Sequence, residues 1–114
     1  MSVKFIGVSN NEYFFEEYRL ENLPHYESVV YIYAKKEGTL YAPLYIGETG
    51  RDICVRYIEH ESDGVNTCVE TYGFNCMLLL LVPLSGIDAG ESSRKRIEDD
   101  LLKKYKTPCN IKNN

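Results

Sequence analysis

The run Asn75-Cys76-Met77-Leu78-Leu79-Leu80-Leu81-Val82, stopped by Pro83, constrains this chain more than any other stretch. It falls well short of the roughly 18 apolar residues that cross a bilayer. Without polar alternation it has no face to offer to water, so it reads as a central, buried strand. Its neighbours must come from the rest of the chain. Val29-Val30-Tyr31-Ile32-Tyr33 is β-branched and aromatic and predicts a second strand. Lys35-Lys36-Glu37-Gly38 reads as a turn, and residues 40–46 as the returning strand, with Pro43 marking an edge position or a bulge.

The loop Gly47-Glu48-Thr49-Gly50-Arg51 leads to Asp52, a helix N-cap by type. Residues 53–61 predict a helix with Ile53, Cys54, Tyr57 and Ile58 on its apolar side. Arg56 and His60, four apart, stack on the border of that side. Residues 62–75 read as loop with a short helix around Cys68–Tyr72. Ser85-Gly86-Ile87-Asp88 is punctuation, and a last helix is expected from Ala89 to Tyr105, ended by Pro108. On it Glu98 shares a face with Leu101, Leu102 and Tyr105, while Asp99, Asp100, Lys103 and Lys104 point elsewhere. A carboxylate on an apolar stripe is costly unless it is paired, hydrogen-bonded or bound to a metal. Arg94 on the same face offers the pairing; a cation offers the other solution.

The chain of 114 residues suits one domain with one modest core. Residues 1–28 read as a short strand and an irregular or helical extension packed on a domain spanning 29–114. Met1–Ile6 lacks the apolar core of a signal peptide, so a cytoplasmic protein with no membrane association is expected. Cys54, Cys68, Cys76 and Cys109 form no CxxC, and His25 and His60 complete no zinc spacing, so all four cysteines read as reduced, mostly buried thiols. The net charge of −4 disfavours long-range attraction to phosphate. The charge is unevenly spread: residues 9–28 hold five acids against Arg19, and residues 94–112 hold seven bases against three acids.

The ordered set Val29-Val30-Tyr31, Tyr45-Ile46-Gly47, Arg56, His60, Glu98 and Thr107-Pro108-Cys109-Asn110 resembles the GIY-YIG nucleases. The second motif matches in full; the first keeps its tyrosine but has Val29 where the family has glycine. The Arg-x-x-x-His spacing and the short Glu98–Asn110 interval look most like the branch that includes small Type II restriction enzymes. The resemblance implies an α+β fold, a small three-stranded antiparallel sheet flanked by helices. It implies a DNA endonuclease dependent on Mg²⁺ or Mn²⁺, with RNA a less favoured substrate and a homodimer or protein partner possible. In that scheme Glu98 is the metal ligand. Arg56 contacts the scissile phosphate, Tyr31 orients or deprotonates water, and His60 is the alternative base. Tyr45 hydrogen-bonds beside Tyr31, and Asn110 braces the site. Gly47, Thr49, Arg51 and Arg56 line the expected DNA path. Glu48 on that path either repels DNA or supplies a second metal ligand. The competing expectation is a non-catalytic binding module of the same fold, contacting a protein through its acidic, aromatic N-terminal segment.

Overall fold

The computed structural model describes residues 2–81 and 90–113; the expected breaks at Pro83 and Ser85–Asp88 and the helix start at Ala89 lie outside them. Five strands form one antiparallel sheet: β1 (Ser2–Ile6), β2 (Glu12–Tyr18), β3 (Val29–Glu37), β4 (Leu40–Thr49) and β5 (Cys76–Leu81). Among the described residues three α-helices accompany it: α1 (Ile53–Ser62), α2 (Val65–Thr71) and α3 (Glu91–Leu102). The spatial order is β1-β2-β5-β3-β4, which leaves the apolar strand β5 in the middle and β4 at an edge.

This corrects the expected three-stranded sheet. The first 28 residues supply a hairpin, and β2 pairs with β5 through Glu16–Leu79, Glu17–Leu78 and Tyr18–Met77. The acids of β2 hid the strand because they break its alternation. They are accommodated by partners: Glu17 accepts from Lys36 Nζ and from the Tyr41 hydroxyl, and Glu16 accepts from Ser2 Oγ. Phe15, fully buried, carries the strand's contribution to the core.

The sheet separates two apolar clusters. Val29, Tyr31, Tyr33, Tyr45, Met77 and Leu79 pack towards α1 and α2. Val30, Ile32, Ile46 and Leu78 pack with Phe5, Phe15 and Leu101 on the α3 side. The alternation along β3 and β5 follows from the two-residue strand period.

Asp100 also departs from expectation. Away from the Glu98 face as expected, it is nonetheless buried, and accepts from Ser9 N, Ser9 Oγ and Tyr13 Oη at 2.9, 2.7 and 2.7 Å. It thereby fastens the β1–β2 hairpin to α3. Gly7 permits the approach: a Cβ there would lie 2.0 Å from Asp100 Oδ2. Burial raises the Asp100 carboxyl, but the bonds from Tyr13 and Ser9 hold it below its ordinary range. Its stabilising contribution is therefore present at neutral pH and is lost as pH falls through that lowered value. Asp100→Ala is expected to lower stability by about 2 kcal/mol at pH 7 in urea denaturation, with a smaller difference at acid pH. An unchanged midpoint at pH 7 would show that the hairpin is held by other contacts.

Candidate active site

The site is organised around the edge strand. The β3–β4 register runs Tyr31–Gly47, Ile32–Ile46 and Tyr33–Tyr45, then slips so that Ala34 faces Pro43. The extra residue, Leu44, is a bulge at the position Pro43 marks. It lets Leu44 and Tyr45 both enter the cluster on the α1 side. Gly47 lies against the Tyr31 ring; a Cβ there would be 2.5 Å from Tyr31 Cζ and Oη. A glycine here is a steric requirement of the tyrosine opposite.

Asp52 caps α1, accepting from Cys54 N at 2.8 Å. The helix buries Ile53 and His60, whereas Ile58 is 66 % exposed. The expected apolar side was thus rotated: positions 53, 57 and 60 face the sheet, and the imidazole goes inward because it finds partners there. His60 Nε2 meets Tyr31 Oη at 2.7 Å, and His60 Nδ1 meets Asp63 Oδ2 at 2.9 Å. An ionised Asp63 accepts only, so Nδ1 carries the proton and Nε2 accepts from the Tyr31 hydroxyl. Burial, then the nearby Arg56, lower the His60 pKa, with Asp63 opposing. The ring is neutral at pH 7. Burial pulls the Asp63 carboxyl up, but the Val65 amide and His60 hold it below the usual range.

Tyr31 is sealed from solvent, and burial, reinforced by Tyr45, raises its hydroxyl well above the ordinary value while Arg56 opposes. Tyr45 lies beside it, ring centroids 6.2 Å apart, and stacks edge-on to His60 at 5.1 Å. Arg56 remains partly exposed, with Nη1 3.1 Å from Glu59 Oε1 and 3.8 Å from Asp63 Oδ2. Tyr31, Tyr45, Arg56 and His60 therefore do converge.

Glu98 sits on α3, across the sheet from α1. The two sides meet around the β4 edge, where the Tyr45 hydroxyl feels Arg56, Glu98 and Asp63 together. Arg94 turns to Glu48, Nε to Oε1 at 2.9 Å, and Lys95 Nζ stands 3.6 Å from the other oxygen of Glu48. Among the described residues Glu98 has no hydrogen bond and no ion pair. Burial, then the neighbouring Glu48, raise its carboxyl from 4.5 to about 7. The expected Glu98–Arg94 pairing is thus replaced by a carboxyl that no cation contacts directly; Lys95 acts on it only from a distance and offsets the burial in part, and a divalent ion would relieve the remaining cost.

Asn110 is buried away from the hydroxyl cluster. Its Oδ1 accepts from Ile46 N at 2.9 Å and its Nδ2 donates to Ile46 O at 3.0 Å. The amide pairs with the edge strand as another strand would, between Tyr45 and Gly47. Cys109 beside it is bonded to Cys68 of α2, which overturns the expectation of four free thiols and leaves Cys54 and Cys76 unpaired. Thr49 is buried, with its hydroxyl accepting from Arg51 N, and Arg51 points outward to Glu59 at 2.6 Å. Arg51 thereby shares Glu59 Oε1 with Arg56, at the outer side of the site.

Asp63 and Glu59 were missed in the sequence. The available signal was their spacing: each lies three residues after a candidate, on the same helical side. Tyr33, inside the ring cluster, has a buried hydroxyl with no partner, and burial pushes its pKa up strongly. Removing that hydroxyl removes an unmet desolvation cost. Tyr33→Phe is expected to stabilise the fold by roughly 1 kcal/mol in thermal unfolding. A destabilised variant would reveal a partner for that oxygen.

Comparison with protein-family models, with curated proteins and with solved structures finds no match for this chain. Among the described residues no helix is long and apolar enough to cross a membrane.

Proposed function

We propose that this protein is a divalent-metal-dependent DNA endonuclease of the GIY-YIG kind. The observation that carries the reading is the pair of unlike sites meeting at Tyr45: a Tyr31–His60–Asp63 chain beside Arg56, and an unpaired, half-buried carboxyl at Glu98.

Each group has a defined task. Arg56, partly exposed and held by Glu59 and Asp63, offers the outer side of its guanidinium to a phosphate oxygen. Tyr45 stands at the mouth of the buried chain and orients the attacking water. A phenol beside a cation is a poor base alone, because its proton must go somewhere. Here the route continues: as Tyr45 takes the water's proton it passes its own to Tyr31, Tyr31 passes its own to Nε2 of neutral His60, and Asp63 stabilises the imidazolium that forms. This gives Tyr31 a positioning and relay role and makes His60 the proton's resting place. Glu98 would hold Mg²⁺ or Mn²⁺, whose chemistry is to stabilise charge on the phosphate and leaving oxygens. Glu48, neutralised by Arg94 and Lys95, does not present a bare negative charge to DNA.

The test is plasmid cleavage with Mg²⁺ by the whole chain, repeated with Arg56→Ala and His60→Ala. Losses of roughly 10²–10³-fold are expected for Arg56→Ala. His60→Ala is expected to shift the pH profile as well as the rate. No cleavage of DNA or RNA by folded protein would favour the binding-module reading.

A further inference from the structure

We propose a second metal site, distinct from Glu98 and built from His25, Asp52 and Cys54, that takes a zinc-class divalent ion. The three side chains come from two segments, one before β3 and one at the start of α1, and one ligand atom from each lies within 4.8 Å of the others. A nitrogen, a carboxylate oxygen and a sulfur is a donor set suited to zinc, with a water completing four-coordination.

The arrangement divides the labour of Asp52. Its Oδ1 caps α1 by accepting from Cys54 N, and its Oδ2 faces His25 Nδ1 at 2.8 Å. The Cys54 Sγ lies within 4.8 Å of the other two ligand atoms, its thiol donating to Leu23 O at 3.5 Å and Pro24 O at 3.3 Å. Ile53 N donates to Tyr26 O at 2.9 Å, so the backbone already holds the two segments together. The ion replaces the His25–Asp52 hydrogen bond, and Cys54 releases its thiol proton to solvent. His25 is 80 % exposed and free to adjust. The cluster escaped a search for spacing motifs because its ligands are split between a loop and a helix cap, and one is a carboxylate. Its consequence is mechanical: a bound ion would clip residues 23–26 to the start of the helix that carries Arg56 and His60.

Titration of the purified chain with Co²⁺, its Cys68–Cys109 bond intact, tests the site. One equivalent should give a thiolate-to-cobalt charge-transfer band and the visible bands of a four-coordinate ion, both displaced by Zn²⁺. Cys54→Ser should abolish the charge-transfer band. His25→Ala, at an exposed position that packing does not depend on, should weaken binding by about 100-fold or more. Cys76→Ala and Glu98→Gln should leave the band intact. Absence of the band, its survival in Cys54→Ser, or its loss with Cys76 would overturn the proposal.

Discussion

Glu98→Gln should abolish cleavage and at the same time make the protein more stable at pH 8. The expected loss of activity is roughly 10³-fold, the scale of removing a metal's charge stabilisation. The stability gain follows from linkage. The Glu98 carboxyl titrates near 7 in the folded chain against 4.5 for an ordinary glutamate, because burial and Glu48 disfavour its charge. The folded state then binds the proton more tightly than the unfolded state. Stability falls as pH rises from about 4.5 through 7 and is flat above that. Gln removes the charge, so the variant should exceed the wild type by on the order of 2 kcal/mol at pH 8, allowing for partial solvent screening, and match it near pH 4. Mg²⁺ should raise the wild-type melting temperature at pH 8 and leave that of Glu98→Gln unmoved. A variant that melts lower at pH 8 would mean that Glu98 is a structural acid with a partner.

The second large effect is expected at Gly47. Alanine there places a Cβ 2.5 Å from the Tyr31 ring carbon and hydroxyl and 2.9 Å from Tyr45 Cε1. Tyr31 cannot retreat, because it is fully buried and fastened to His60. Either the β3–β4 pairing opens or the hydroxyl chain breaks. Gly47→Ala is therefore expected to lower stability by about 2–3 kcal/mol, at the upper end of overpacking costs. Cleavage should fall with it, even at temperatures where the variant is folded. Urea denaturation and cleavage at low temperature check the two parts. Normal stability and activity would show that the Tyr31 position is slack.

How much of this was readable in the residues depended on whether the signal was local. Strand β5 was legible because an apolar run of that length can only be interior. The β3–β4 hairpin and the bulge at Pro43 were legible because β-branched residues and a missing N–H act through the chain's own backbone, but the turn expected at Lys35–Gly38 lies later, since Lys35, Lys36 and Glu37 pair with Ala42, Tyr41 and Leu40. Strand β2 was not, since Glu16 and Glu17 break its alternation and are satisfied only by Ser2, Lys36 and Tyr41 elsewhere. The sheet consequently has five strands where the resemblance implied three. His60 was legible as a candidate but not as a buried one, because its burial rests on Tyr31, 29 residues away, and on Asp63. Asp100 read only as lying off the apolar face, and its burial was not legible for the same reason: its bonding partners lie in the first 13 residues. The Cys68–Cys109 bond joins residues 41 apart and leaves no spacing motif. Glu98 was the reverse case. A lone acid on a greasy helical face is a local anomaly, visible without a fold, and the structure adds that among the described residues it has no ion pair, with Lys95 acting on it only from a distance.

The most direct test is a crystal of the protein soaked with Mn²⁺ at pH 8, read from the metal's anomalous scattering. An ion bound to a Glu98 oxygen at roughly the 2.0–2.2 Å typical of such ligands is the expected result. The same site should face Tyr45 and Arg56. A Glu98 carboxylate free of metal at saturating Mn²⁺, or engaged by a lysine or arginine instead, would contradict it.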